Sequence, residues 1–375
     1  MVQKRERNCN LDIIRCVAVF TVICVHFFLN SEYYTYPIVG ERMYIMTFIC
    51  TAARVCVPLF LLLTGYLMRQ KTFCLSYYKG IRKTLAIYLL ASLACLAYRA
   101  FIVHDTVTIT SALLRILGFY ASDYAWYIEM YIGLFLLIPF LNLIYNGIPT
   151  QRGKLVLIAT FLLLTALPSL FNIHDLHTAG WWAQPSISHS YDMLIPEWWV
   201  RLYPITYYFI GAYFSEYGCR LRKRWSFPLL LGSIFLFGAF NIYRSSGGLF
   251  QSISACDWSG FECVIMSVLT FLFLLKLPAQ SLPTWLKTVF AKIADWALGA
   301  YLVSWIWDHY AYPKLIASVT SMPQRLNYLP VMVGFVFAGA LLTSAVLNGI
   351  YTLCRKGGGA ALRRIKAARA RTQSV

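Results

Sequence analysis

Asp12-Ile13-Ile14-Arg15-Cys16-Val17-Ala18-Val19-Phe20-Thr21-Val22-Ile23-Cys24-Val25-His26-Phe27-Phe28-Leu29-Asn30 is an apolar run interrupted near its start by an arginine and near its end by a histidine. A run of this length crosses a hydrocarbon core of ~30 Å as a helix. Arg15 and His26 would then both lie inside the membrane, where ionisable groups are expensive and mark function. Eleven helical steps of ~100° end about 20° beyond three full turns, so the two side chains share one stripe, roughly 16 Å apart in height.

Composition extends this reading to the whole chain. Of 375 residues, 59% are hydrophobic and 13% charged, and the mean hydropathy of +0.61 excludes a soluble globular protein. The expected fold is all-α: a polytopic membrane protein with about ten transmembrane helices. The spans are read at 12–30, 44–68, 84–103, 124–146, 154–171, 203–217, 227–243, 259–275, 293–311 and 328–353. With the N-terminus inside, 24 Lys and Arg fall in cytoplasmic segments, 6 in the opposite loops and 3 (Arg15, Arg54, Arg99) within spans. This asymmetry places both termini in the cytoplasm. The net charge of +18 is therefore a topology signal, and no nucleic-acid partner is expected. Two regions follow: a transmembrane domain over 1–354 and a basic cytoplasmic tail over 355–375. In the tail, Gly357-Gly358-Gly359 reads as a flexible hinge before a short basic helix lying on anionic lipid headgroups.

The eleven cysteines form no CxxC pair and read as small apolar fillers. The first apolar stretch lacks a small-residue cleavage site and reads as a signal anchor. The longest external loop, 172–202, carries His174, His177, Trp181, Trp182, His189, Trp198 and Trp199. Its tryptophans suit interfacial anchors, with a sugar-stacking platform as the alternative. His174 and His177 stand at i and i+3, but no third His or carboxylate joins them in a firm ligand pattern, so no metal is expected.

Sorted by depth, the intramembrane polar residues fall into two groups. Arg15 at the base of span one, Arg82 and Lys83 at the mouth of span three, and Arg54 in mid-span two make a cationic path from the cytoplasm. His26, Glu129, Asp308 and His309 lie in the outer half. A guanidinium holds phosphate through forked, charge-assisted hydrogen bonds, and a neutral imidazole takes a proton from a hydroxyl at neutral pH. Such a pocket suits a polyanionic donor from the cytoplasm and an acceptor from outside. The plainer alternative has Arg15 snorkelling, Arg54 paired with a carboxylate such as Glu129, and His26 bridging helices. Tyr301, Ser304 and Asp308, at i, i+3 and i+7, can share one face of span nine towards the pocket.

The residues resemble the acyltransferase 3 family of integral membrane acyltransferases. Leu11-Asp12-Ile13-Ile14-Arg15 with His26 is similar to its Arg-x10-His opening, and Pro58-Leu59-Phe60-Leu61-Leu62-Leu63-Thr64-Gly65-Tyr66-Leu67 to its Pro-x-Phe-x-x-x-Ser/Thr-Gly-Tyr/Phe segment. Trp126-Tyr127 leading to Pro139 resembles its Trp-Phe/Tyr block, and Leu298-Gly299-Ala300-Tyr301-Leu302-Val303 its late Gly-x-Tyr-Leu segment. The chain departs at Tyr124-Ala125, where many members carry His before the Trp, and at Ser304-Trp305, where many have His-Pro.

The resemblance implies transfer of an acyl group, commonly acetyl from cytoplasmic acetyl-CoA, to a hydroxyl of an envelope glycan or lipid-linked sugar. It matches Arg15 and His26 to the family's essential pair and Arg82 to its basic residue opening the third span. Acyl-CoA, the sugar acceptor and membrane lipids are then the expected partners, in a bacterial inner membrane. The expected arrangement puts CoA phosphates on Arg15 and Arg82, with the pantetheine arm rising along span one to His26. His26 acts as general base or transient acyl carrier while Glu129 orients its ring; Arg54, Trp126, Tyr127, Tyr301 and Asp308 complete the substrate-binding set. The rival readings are a secondary transporter or flippase for a glycan or acylated intermediate, and a sensory or scaffold protein. Only an acyltransferase consumes acyl-CoA.

Overall fold

A computed structural model describes residues 7–251 and 258–372, with side chains as far as 357. Among them the chain is helical, and a single parallel bridge pairs Ile38 with Ser246. The helices are α1 (Cys9–Asn30), α2 (Glu41–Ala53), α3 (Cys56–Met68), α4 (Leu75–Tyr78), α5 (Arg82–Phe101), α6 (Ile109–Leu117) and α7 (Trp126–Gly147). They continue with α8 (Gln151–Thr165), α9 (Pro168–Phe171), α10 (Tyr203–Tyr217), α11 (Lys223–Ser245), α12 (Phe261–Leu275), α13 (Thr284–Ser318) and α14 (Leu329–Thr372).

Each of the ten expected spans overlaps a helix, but these helices differ in length. Seven helical segments among the described residues are long and apolar enough to cross a membrane. The fifth, sixth and eighth expected spans correspond to α8, α10 and α12, each of 15 residues. At 1.5 Å per residue they reach about 22 Å, short of the ~30 Å core. The tail expectation also changes. α14 runs to Thr372 without a break at Gly357.

Two local features position the site. α1 starts where the Asn8 side chain accepts from the Asn10 amide, a cap that satisfies one of the four orphan N–H groups. It then packs against α2, α3, α12, α13 and α14, so its polar stripe is enclosed on several sides. Span two is broken at Arg54 and Val55, between α2 and α3. Pro58 has no N–H to offer the Arg54 carbonyl four residues back, and the break leaves the Arg54 side chain in the interior, 4% exposed.

The Thr64-Gly65-Tyr66 segment has a packing reason. A Cβ at Gly65 would overlap the Tyr208 carbonyl oxygen, and one at Gly211 would overlap that of Leu62. α3 and α10 therefore touch backbone to backbone, as helices in membranes do where small residues meet. Two helices lie outside the expected spans, the single turn of α4 and the longer α6. α6 opens with a reciprocal capping box between Thr108 and Ser111 and leaves Ile109, Leu113 and Leu117 exposed, which suits an amphipathic helix at a membrane surface. Nine residues are too few for a span, so the segment reads as loop when only spans are sought.

Candidate functional site

Two cavities meet along α1. The first, of about 320 Å³, is lined by Arg15 with Thr64, Thr84, Tyr127 and Tyr131 among apolar walls such as Phe60 and Leu298. The second, of about 510 Å³, is lined by His26, Arg54, Asp123, Tyr124, Trp126 and Trp258, with Phe250 and Tyr34. Val22, Val57 and Tyr301 line both. Arg15 and His26 thus stand in adjoining chambers of one path, joined at a neck of three buried side chains.

At the Arg15 end, the guanidinium lies 3.1 Å from Asp12 Oδ1. Asp12 also accepts from Arg7, which bridges to Asp295 in α13. Arg15 is thereby steered by a carboxylate whose charge Arg7 shares, while its side chain, 30% exposed, stays open to the cavity.

At the His26 end, Nδ1 is 3.3 Å from Asp308 Oδ2 and 3.3 Å from Ser304 Oγ. A carboxylate only accepts, so Nδ1 carries the proton when it faces Asp308, and Nε2 keeps the basic lone pair. Ser304 donates to the Tyr301 carbonyl, which leaves its oxygen as a second acceptor. The Tyr124 ring stacks on the imidazole with centroids 3.7 Å apart. Its hydroxyl donates to Asp308 Oδ2 at 2.7 Å and accepts from Asn30 Nδ2 at 2.9 Å. Asp308 is fully buried and its Oδ1 has no hydrogen-bond partner among the described residues, so the Oδ2 contacts dominate its solvation. Tyr301 donates to the Tyr124 carbonyl, which pins the neck to the same cluster. The i, i+3, i+7 face of Tyr301, Ser304 and Asp308 is thus directed at His26.

Glu129 does not join this group. It lies exposed in the first turn of α7, and its side chain has no hydrogen bond or ion pair among the described residues; Tyr127 and Ile128 take the buried face. The carboxylate at the imidazole is Asp308 instead. Nor does Glu129 pair with Arg54, whose Nη1 lies 3.3 Å from Glu262 Oε1 on α12. Glu262 also accepts from Asn241, and Arg54 still lines the His26 cavity. Arg82 is the first residue of α5, exposed, two residues before the cavity-lining Thr84. Trp126 lines the His26 cavity and lies nearly parallel to Trp258; Tyr127 lines the Arg15 cavity and meets Tyr301 edge-on at 5.6 Å. His309 turns away from His26, its Nδ1 3.0 Å from the Trp305 carbonyl.

The sequence reading missed the contributions of Asn30, Tyr124, Asp123 and Glu262. Glu262 had a signal, a lone carboxylate in an apolar run.

In the 172–202 loop His174 and His177 part. His174 packs on Trp181 and Trp182, while His177 Nδ1 lies 2.9 Å from Asp192 Oδ1. Asp175, His177 and Asp192 bring their ligand atoms within 4.8 Å of one another. Hydrogen bonds account for both carboxylates. Asp175 accepts from the Thr178 hydroxyl and from the His177 and Thr178 amides, and Asp192 from the Leu176 amide. The Ser188 and Thr178 hydroxyls hold the Asp175 carboxyl well below the usual carboxylate range.

This arrangement fits what comparison with known proteins finds. The family model described as an acyltransferase domain matches residues 9–348, which contain both cavities. The chain belongs to the acyltransferase 3 family, and it is a multi-pass membrane protein. No curated protein and no solved structure matches it.

Proposed function

We propose that the protein moves an acyl group, acetyl in the first instance, from acyl-CoA on the cytoplasmic side to a hydroxyl of an envelope carbohydrate or glycolipid on the far side of a bacterial inner membrane. The observation that carries this is the pair of adjoining cavities, one holding a guanidinium and the other an imidazole backed by a carboxylate. Eleven residues of helix separate Arg15 from His26 by about 16 Å, a distance suited to an extended pantetheine arm between phosphates and thioester.

In this reading both termini are cytoplasmic. Arg15 receives a donor phosphate, relieving Asp12 of one of its two arginines, and Arg82 and Lys83 add cationic charge at the same mouth. The apolar walls of the lower cavity hold the arm, and the neck at Val22, Val57 and Tyr301 admits it while retaining the nucleotide. The acceptor occupies the upper cavity against Trp126, Trp258 and Tyr34, where aromatic faces pack against a sugar ring. His26 Nε2 takes the hydroxyl proton as the oxygen attacks the thioester carbonyl; the carbon–sulfur bond breaks and the thiolate takes the proton back from the imidazolium. Asp308 holds the Nδ1–H and stabilises the transient positive charge.

Purified protein incubated with acetyl-CoA and candidate sugar acceptors tests the reading. Release of free CoA that depends on acceptor, with acetyl found on the acceptor by mass spectrometry, supports it. Transport of a glycan without consumption of acetyl-CoA by active, folded protein opposes it and favours a flippase.

A further inference from the structure

Each of the two segments that depart from the resemblance, Tyr124-Ala125 and Ser304-Trp305, brings one residue to His26. Ser304 puts its oxygen 3.3 Å from Nδ1. Tyr124 stacks on the ring and donates to Asp308. Two independent segments, the approach to α7 and the middle of α13, therefore converge on a single imidazole.

We propose that Tyr124 is a positioning residue of the transfer site that sets the basicity of His26 through Asp308, with Asn30 supporting it. The inference rests on the acyl-transfer reading. Its geometric basis is a shared oxygen. Asp308 Oδ2 receives the Tyr124 hydroxyl at 2.7 Å and lies 3.3 Å from His26 Nδ1. Each donor to that oxygen weakens it as an acceptor for the other, so the tyrosine moderates the pull of the carboxylate on imidazolium. Asn30 Nδ2 donates both to the Tyr124 hydroxyl and to the His26 carbonyl. Its bond to the tyrosine oxygen makes that hydroxyl the stronger donor, and its bond to the backbone ties the relay to α1.

The other titratable groups around His26 are accounted for by element. From α13 come Tyr301, which donates to the Tyr124 carbonyl, and Asp308. From the approach to α7 comes Asp123, whose Oδ2 accepts from Trp305. The α2–α3 junction supplies Cys56 and Arg54, the latter beside Glu262, and Tyr34 lines the far wall. Asp308 is the carboxylate in contact with the imidazole among the described residues, so a change at its second donor is read directly by the ring.

The experiment uses the full chain in lipid nanodiscs, as wild type, Tyr124→Phe and Asn30→Leu. Tyr124→Phe keeps the stacked ring and removes the hydroxyl; Asn30→Leu weakens the same bond from behind and serves if the phenylalanine variant fails to fold. Two readouts are taken: kcat/KM for acetyl-CoA against pH, and the pH dependence of His26 carbethoxylation by diethyl pyrocarbonate, which attacks neutral imidazole, followed by peptide mass spectrometry. Removing the donor leaves Asp308 to stabilise imidazolium more strongly, so both midpoints are expected to move to higher pH, by about one unit in Tyr124→Phe and less in Asn30→Leu. A merely structural role would lower activity without moving either midpoint. Unmoved midpoints in folded variants overturn the assignment of Tyr124. The carbethoxylation arm decides this even if the wild type consumes no acetyl-CoA, a result that would count against the acyl-transfer reading instead.

Discussion

Asp308→Asn is the sharpest perturbation of the site, because it changes one atom in a fully buried side chain. The amide oxygen, kept at the Oδ2 position, still accepts from Tyr124 and faces His26 Nδ1, and the amide nitrogen takes the place of Oδ1, which has no hydrogen-bond partner among the described residues. Ring orientation and tautomer are therefore kept. What the variant loses is the charge that stabilises imidazolium. A hydrogen bond to a charged group contributes about 1.5–3 kcal/mol, and about 1.4 kcal/mol corresponds to tenfold in rate, so kcat is expected to fall roughly ten- to 150-fold. The assay is release of free CoA by purified protein under saturating acetyl-CoA and acceptor, with a melting curve to show that the variant is folded. A folded Asp308→Asn protein with kcat within twofold of wild type would refute the His26–Asp308 pairing as an element of catalysis.

Glu129→Gln is expected to change kcat less than twofold in the same assay, since the side chain is exposed and unbonded; a hundredfold loss would return it to the site. Gly65→Ala forces a methyl group into the Tyr208 carbonyl across the α3–α10 contact and is expected to destabilise by about 1–3 kcal/mol, seen as a lower melting temperature in detergent. The Asp175 carboxyl titrates below its ordinary value in the folded loop, so its contribution to stability is complete above about pH 4 and is lost as pH falls through the depressed value. Limited proteolysis within 172–202 should therefore stay constant from pH 8 to 5 and rise only in stronger acid; a rise already at pH 6 would point to His177 instead.

Much of this architecture is legible in the sequence because membrane spans announce themselves by length and apolarity. Arg15 and His26 are legible for the same reason, as costly exceptions in an apolar run, and their common stripe follows from helical geometry. What the sequence does not carry is azimuth between helices. Glu129 and Asp308 lie at similar depth, and depth alone cannot choose which of them faces His26; packing does, turning Tyr127 and Ile128 inward and Glu129 out. Arg54 illustrates the same limit, since its partner Glu262 lies 208 residues away on α12. α8, α10 and α12 show a different one. Hydropathy marks them as apolar, yet their helices end after 15 residues, and turns that terminate a helix early are set by local contacts that a hydropathy window averages away. Tyr124 and Ser304 looked like departures from a motif, and only their convergence on one imidazole gives them a role.

The central claim is that this chain transfers an acyl group through His26. The most direct test is mass spectrometry of envelope glycans from a host expressing the wild type or His26→Ala at matched protein levels, paired with acetyl-CoA turnover by the two purified proteins. The account predicts an added acetyl and acceptor-dependent CoA release with the wild type, and a loss of both by about 10²- to 10⁴-fold with His26→Ala. An acetyl mark and a turnover rate that survive in the folded His26→Ala protein would contradict it.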